Sequence, residues 1–189
     1  MTNLKSYLKE FYTVDDAVLD KYISHWSEYS ISKRQIMIEP GQVEKHFYFV
    51  LSGIQKSFYL HREKEHVIAF AYPPSFSGIP ESFLTQTPSN YYLETISKST
   101  FLRISYEQHV EFMDEHREIE TLFRKLTEFF LKGVIQRQHE IMALSMEERF
   151  RIFVGRSSHL LQTIPQKDIA SYLNISPTNF SKLINKIRI

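Results

Sequence analysis

The hydrophobic positions along this chain change period twice. Leu4, Tyr7, Leu8 and Phe11 share one helical face, and Val18, Leu19 and Ile23 continue that spacing in a second segment, opened by Thr13 and Asp16 as a capping-box variant. From about Gln35 the spacing is that of strands: Gln35 to Glu39, His46 to Leu51, Ile54 to Leu60, His66 to Tyr72, Tyr91 to Ile96 and Thr100 to Ile104. They are rich in Val, Ile, Phe and Tyr, and Pro40-Gly41, Ser52-Gly53, Arg62 to Glu65 and Lys98-Ser99 separate several of them. Short strands punctuated in this way predict a compact antiparallel roll or barrel. One longer insertion, Pro73 to Asn90, interrupts them, and an ordered connection of that length is the natural place for a pocket wall.

From Ser105 the pattern is helical again. Ile119, Leu122, Phe123, Leu126, Phe129, Phe130, Val134, Ile141 and Met142 mark an apolar stripe on a helix from about Arg117 to Leu144. The first turns of that stripe have the roll to pack on. The remainder exceeds what one small domain covers, which predicts pairing with a second copy. Gly133 costs about 1 kcal/mol relative to Ala inside a helix and allows a bend or a close approach. Ser145 and Glu148 form a capping box that starts a further helix, Met146 to Phe153.

The last stretch, IPQKDIASYLNISPTNFSKLINKIRI, has the punctuation of two short helices joined by a tight turn. Pro165 suits a first turn, and Ile169, Ala170 and Leu173 share a face. Asn174 tolerates the left-handed backbone that ends a helix sharply. Ser176 caps a second helix with Pro177 at its first position, and Phe180, Leu183, Ile184 and Ile187 recur at helical spacing. Thr178, Asn179, Ser181, Lys182, Asn185 and Lys186 point outward, short polar and cationic groups of the kind that contact base edges and phosphates. The pattern is that of a helix-turn-helix.

Composition narrows the function classes. From Ser145 onward seven basic residues stand against three acidic ones, whereas the rest of the chain carries sixteen against nineteen. A cationic module on a slightly acidic body suits phosphate contact. The absence of cysteine removes disulfides, thiolate catalysis and Cys-ligated zinc or iron–sulfur sites. No apolar run is long enough to cross a bilayer and the first residues lack the apolar core of a secretory signal, so a cytoplasmic location is expected.

The order of covering helices, β-roll, long helix and helix-turn-helix resembles the Crp/Fnr family of bacterial transcription regulators over essentially the whole chain. Gly41, Gly53 and Gly78 match glycines of the family's roll, the S-x-E-E-R run Ser145 to Arg149 matches the start of its DNA-binding domain, and IPQKDIASYLNIS is similar to its helix-turn-helix. The resemblance implies an α+β fold. Residues 1–116 would form an N-terminal antiparallel β-roll of the double-stranded β-helix or jelly-roll type with flanking helices, residues 117–144 a dimerisation helix, and residues 145–189 a DNA-binding domain without a wing. It also implies a homodimer reading an inverted repeat in double-stranded DNA, with Lys182 at the position of a base-reading arginine and Ser181 and Lys186 at phosphates. RNA polymerase and an unidentified small-molecule effector are the further partners, with no membrane, no cofactor and no enzymatic activity.

Members that bind cyclic nucleotides open their phosphate-binding cassette with a Gly-Glu pair and close it with Arg-Ser. Here Gly78 matches, Ile79 stands at the Glu position, Glu81 lies two residues late, and Ser89 and Asn90 occupy the Arg-Ser positions. A buried phosphodiester without a cation is costly, so usual cAMP binding is not expected. The candidate pocket residues are Phe76, Gly78, Ile79, Glu81, Phe83, Ser89, Asn90, Tyr91 and Tyr92, either around a different effector or filling the space themselves. Two competing readings are a cupin-like metal enzyme, for which His46 supplies one ligand but Tyr48 stands where a second is needed, and a scaffold whose helix-turn-helix does not bind DNA.

Overall fold

The structure, a computed structural model, describes residues 2–186. Ile187, expected on the inner face of the last helix, and Arg188, counted among the basic residues, lie outside the described residues.

Strand β3, His46–Ser52, shows why the roll forms. Alternate side chains point to opposite faces of a strand. Tyr48 and Val50 turn into the roll against Phe101, while Phe47, Phe49 and Leu51 pack on the opposite side beneath the helices. Both faces are covered, which is why this strand reads as a nearly unbroken apolar run. The other strands are β1 (Ser27–Ile31), β2 (Ile36–Ile38), β4 (Gln55–His61), β5 (Lys64–Ala71), β6 (Phe76–Ser77), β7 (Tyr92–Thr95) and β8 (Ser99–Ser105). They make two four-stranded antiparallel sheets, β1-β8-β3-β6 and β2-β7-β4-β5. The bend between β3 and β4 requires Gly53, at φ +89°, because a Cβ there would meet Lys98 O at 2.5 Å.

Besides a 3-10 turn ahead of the last two helices, the structure adds three elements to those predicted. Strand β1 is largely polar and exposed, and strand β6 has only two residues, so neither carries a hydrophobic period. Inside the insertion lies helix α3, Pro80–Thr85. One cap differs from expectation. Helix α2, Asp16–Ser24, is capped by Asp15, whose carboxylate accepts the Ala17 and Val18 amides at 2.9 and 3.3 Å, and not by Thr13 with Asp16.

Helix α1 (Thr2–Lys9), α2, α4 (Tyr106–Glu115) and the first turns of α5 (Arg117–Ala143) close one face of the roll through Leu4, Leu8, Leu19, Tyr22, Phe112, Ile119, Leu122 and Leu126. Beyond Leu126 the character of α5 changes, and Phe129, Phe130, Leu131, Val134, Ile135 and Met142 are all exposed. Helix α6, Met146–Ser157, starts at the predicted capping box, with both reciprocal bonds present. A 3-10 turn, Ser158–Gln162, leads to α7 (Gln166–Tyr172) and α8 (Pro177–Lys186).

The C-terminal helices are docked on the roll. Strand β5 is the free edge of its sheet, and α7 covers it: the Ser171 hydroxyl donates to Glu65 O and accepts the Val67 amide, both at 3.0 Å. This satisfies edge groups that would otherwise be left unpaired. Beside it Lys56 is almost fully buried and pairs with Glu65 at 2.6 Å, Glu94 at 3.3 Å and Asp168 of α7 at 3.5 Å. Burial works against the Lys56 ammonium, but those carboxylates outweigh it and its pKa is raised.

Candidate nucleic-acid interface and ligand cassette

The turn between α7 and α8 is built as its residues dictate. Asn174 sits at φ +52°, its amide bonds Ser171 O at 3.0 Å, and the Ile175 amide reaches back to Ala170 O at 2.9 Å. This is the Schellman arrangement, which uses a left-handed residue to satisfy the last helical carbonyls. Ser176 Oγ then accepts the Asn179 amide at 3.3 Å to cap α8. Ile169, Ala170, Leu173, Ile175 and Phe180 close a core with Phe150 and Phe153 of α6.

That core decides which α8 side chains face out. Thr178, Ser181, Lys182, Asn185 and Lys186 are exposed. Asn179 is only half-exposed, and its side-chain amide turns back to Met146 Sδ at 3.6 Å, away from the outward row. Lys186 pairs with Glu147 at 3.1 Å, and Arg151 pairs with the same carboxylate at 2.8 Å. Among the described residues Lys182 has no ion pair.

Much of the positive charge in this segment is therefore structural. Arg149 is buried, donating to the Ile141 and Leu144 carbonyls at the end of α5 and to Asn174 O in the turn. Arg156 holds Glu140 of α5 with two bonds of 3.1 and 3.2 Å. Arg137 of α5 stacks 4.0 Å over the Tyr172 ring and donates to the Tyr172 carbonyl. These residues tie the long helix to the helix-turn-helix, a role their charge alone does not announce.

The cassette disperses the nine pocket candidates. Phe76 and Phe83 are core residues, their rings 4.4 and 5.5 Å from Phe47. Tyr92 stacks on Phe58 at 4.9 Å. Ser89 is buried and bonds the Tyr91 backbone, and its own main chain ties the insertion to the Gly41-Gln42 turn. Asn90 is exposed, and Gly78, at φ +140°, supplies the bend before α3. Only Ile79, Glu81 and Tyr91 of the nine line the cavity on this face, together with Ser57, Ile68 and Pro80. Its volume is about 170 Å³, and among the described residues no cationic side chain lines it. Burial pushes the Glu81 carboxyl upward in pKa.

Glu44 had no signal in the sequence. It is almost fully buried at the base of α3, where its Oε1 accepts the His46 amide at 3.2 Å and the Lys45 and Ile79 amides face the carboxylate. Oε2 has no hydrogen-bond partner among the described residues. Burial without a cation raises its pKa to about 7. His46, the single cupin-like candidate, is half-buried, and burial lowers its pKa. Among the described residues no three His, Asp or Glu side chains converge as a metal-ligand set. No helix among them is long and apolar enough to cross a membrane.

Residues 28–116 match the cyclic nucleotide-binding domain family. Among solved structures the chain is similar to FixK2 from Bradyrhizobium japonicum, at 15% identity and a TM-score of 0.74 over 85% of this chain and 83% of that one. It is also similar to the c-di-GMP-responsive global regulator CLP from Xanthomonas campestris, at 17% identity and a TM-score of 0.64 over 91% of each chain. A third likeness is to a transcriptional regulator assigned to the Crp/Fnr family from Eubacterium rectale, at 13% identity and a TM-score of 0.71 over 92% of this chain and 83% of that one. No curated protein matches the chain.

Proposed function

We propose that this chain, with the Crp/Fnr-like fold and a cyclic nucleotide-binding domain at residues 28–116, is a non-enzymatic transcription regulator that reads an inverted repeat in DNA as a homodimer. The observation that carries the reading is α8: its inner face is locked by Phe180 and the Schellman turn, and its outer face offers Thr178, Ser181, Lys182, Asn185 and Lys186 in one row. A helix so presented is what a major groove accepts. The division of labour follows the sequence: a sensor over 1–116, dimerisation through 117–144, and DNA recognition over 145–189.

The exposed half of α5 supports the dimer. Its row of Phe130, Val134 and Ile135 is a large apolar patch with no cover among the described residues. Two copies paired along it would hold two α8 helices across a two-fold axis. Ile135→Glu should give a monomer in sedimentation, and a variant still dimeric at micromolar concentration would argue against this seam.

Within α8, Lys182 reads a base edge and Lys186 approaches a phosphate, exchanging Glu147 for it. Selection of genomic fragments at two salt concentrations should enrich an inverted repeat. Lys182→Ala should relax preference at one position, while Lys186→Ala should weaken binding to all sequences and lower the salt slope by about 1. Equal effects of the two changes would refute the assignment.

The cassette supports a signal other than cAMP. Ligand pockets span about 300–1,000 Å³, and a cavity near 150 Å³ takes a benzene. At about 170 Å³, with a carboxylate on its wall and no cation, this cavity suits neither the size nor the charge of a cyclic nucleotide. Isothermal titration with cAMP and cGMP should give no heat of binding.

A further inference from the structure

Glu44 is the one buried acid among the described residues that lacks a cation. Three observations single it out. Its carboxylate lies at the start of α3: Oε2 would be 3.9 Å from a Cβ on Gly78, and the Ile79 amide faces it. Its main chain is pinned to the same helix, with its amide donating to Ser82 Oγ at 2.9 Å and its carbonyl accepting the Gln86 side chain at 3.1 Å. Finally, Oε2 accepts no hydrogen bond, so a proton can be added there without displacing a partner. An anion at the base of the cassette is thus supplied from within the chain.

The surroundings leave the charge unopposed. From β3, Tyr48 carries a phenol that burial holds protonated, and His46 offers its main-chain amide. Ser77 of β6 is buried, and its hydroxyl has no hydrogen-bond partner among the described residues. From β8, the Arg103 guanidinium lies 4.2 Å over the Tyr29 ring, and Lys45 in the adjoining loop is exposed. On α3 itself, Glu81 faces the cavity. The other side of α3 leads to the long helix through rings: Phe83 lies 5.5 Å from Phe47 and 5.8 Å from His109, which meets Phe123 of α5 at 4.5 Å. His109 bonds the Tyr22 hydroxyl at 2.8 Å, and burial lowers its pKa to about 4.

We propose that the ligand of this sensor domain is the proton, taken up from solvent by Glu44 Oε2 at the base of α3. Ionised, the carboxylate makes a charge-assisted bond to the His46 amide and faces the Ile79 amide beside Gly78; protonated at Oε2, it offers them only a neutral carbonyl at Oε1, the hold weakens and α3 loosens against the Phe83–Phe47–His109 ring cluster. The pKa near 7 places the change where a cell's pH varies, well above the His109 titration. The proposal rests on reading residues 1–116 as the sensor.

The test uses the full chain without DNA. With ¹³C at the glutamate carboxyls, a titration from about pH 5.5 to 8.5 should show one carboxyl with a midpoint near 7 and the rest titrated at lower pH. The single tryptophan, Trp26, is buried 6.0 Å from Phe47 and 6.3 Å from Phe76, so its fluorescence should follow the same one-proton curve. Glu44→Gln should abolish both. The idea is overturned if no carboxyl of the native chain titrates between about pH 6 and 8, or if the Trp26 transition survives in Glu44→Gln. The carboxyl titration needs no variant, so a poorly folding substitution does not block it. If the DNA reading failed, operator binding would be lost while these titrations stayed as described.

Discussion

The two halves of this molecule treat buried charge in opposite ways. Around the helix-turn-helix, buried ions have partners: Lys56 with Asp168, Glu65 and Glu94, Glu140 with Arg156, and Arg149 with three carbonyls. In the cassette, Glu44 is just as buried and has only backbone amides. A paired buried ion is insensitive to pH near neutrality and resists separation, so it holds two elements in one relative position. An unpaired buried acid is easily neutralised, so it titrates where the cell can reach it. The pairing around the helix-turn-helix holds a geometry, and the proposed protonation of Glu44 would change one.

Breaking the pairing around the helix-turn-helix should have the largest effect. Lys56→Met leaves Asp168 buried against apolar surface and should cost about 3–5 kcal/mol in denaturant unfolding, whereas Lys56→Met with Asp168→Leu should recover most of it. A double variant as unstable as the single one would mean that packing, and not charge, holds α7 on β5.

The cassette should show the opposite sign with pH. Between the ordinary carboxylate range near 4.5 and its own value of about 7, the folded chain binds the Glu44 proton more tightly than the unfolded one. Stability from this group is therefore complete at low pH and lost as pH rises through that window. His109 runs the other way: its depressed pKa contributes stability above about 6.5 that is lost on acidification. Comparing variant with native chain removes the His109 part. Glu44→Gln should gain on the native protein by about 3 kcal/mol between pH 5 and pH 8, read from urea midpoints. A constant difference across that range would remove the contrast between the two halves.

The smallest effect tests the seam itself. Ser171→Ala leaves the Glu65 carbonyl and Val67 amide of the β5 edge without their partner and should cost about 1–3 kcal/mol, with faster hydrogen exchange confined to β5. Exchange unchanged at Val67 would show that water serves that edge as well as the serine does.

Local order was legible wherever neighbours in sequence decide it. The capping box at Ser145, the left-handed Asn174 and the Ser176 cap each depend on a few adjacent residues, and the structure has all three. The outward row of α8 followed from the same periodicity, except for Asn179, which Met146 draws aside. For the cassette the sequence left two readings, a ligand pocket or a space filled by its own side chains. Phe76, Phe83 and Tyr92 are aromatic on a suspected wall, but aromaticity says nothing about which side of a strand or helix faces a void, and all three became packing.

By itself the sequence determined the main helices and strands, their order and the helix-turn-helix, because periodicity, caps and turns are short-range properties of the chain. Only the tertiary structure decided which charges are free. Arg149, Arg156 and Lys56 look like phosphate ligands or surface cations until residues 16, 25 or 112 positions away close on them. Glu44 looks like an ordinary surface acid until α3 folds across it. Burial and pairing depend on what arrives from elsewhere in the chain, and those two quantities set whether a charge stays free at the surface, bolts helices together or is left buried and unopposed.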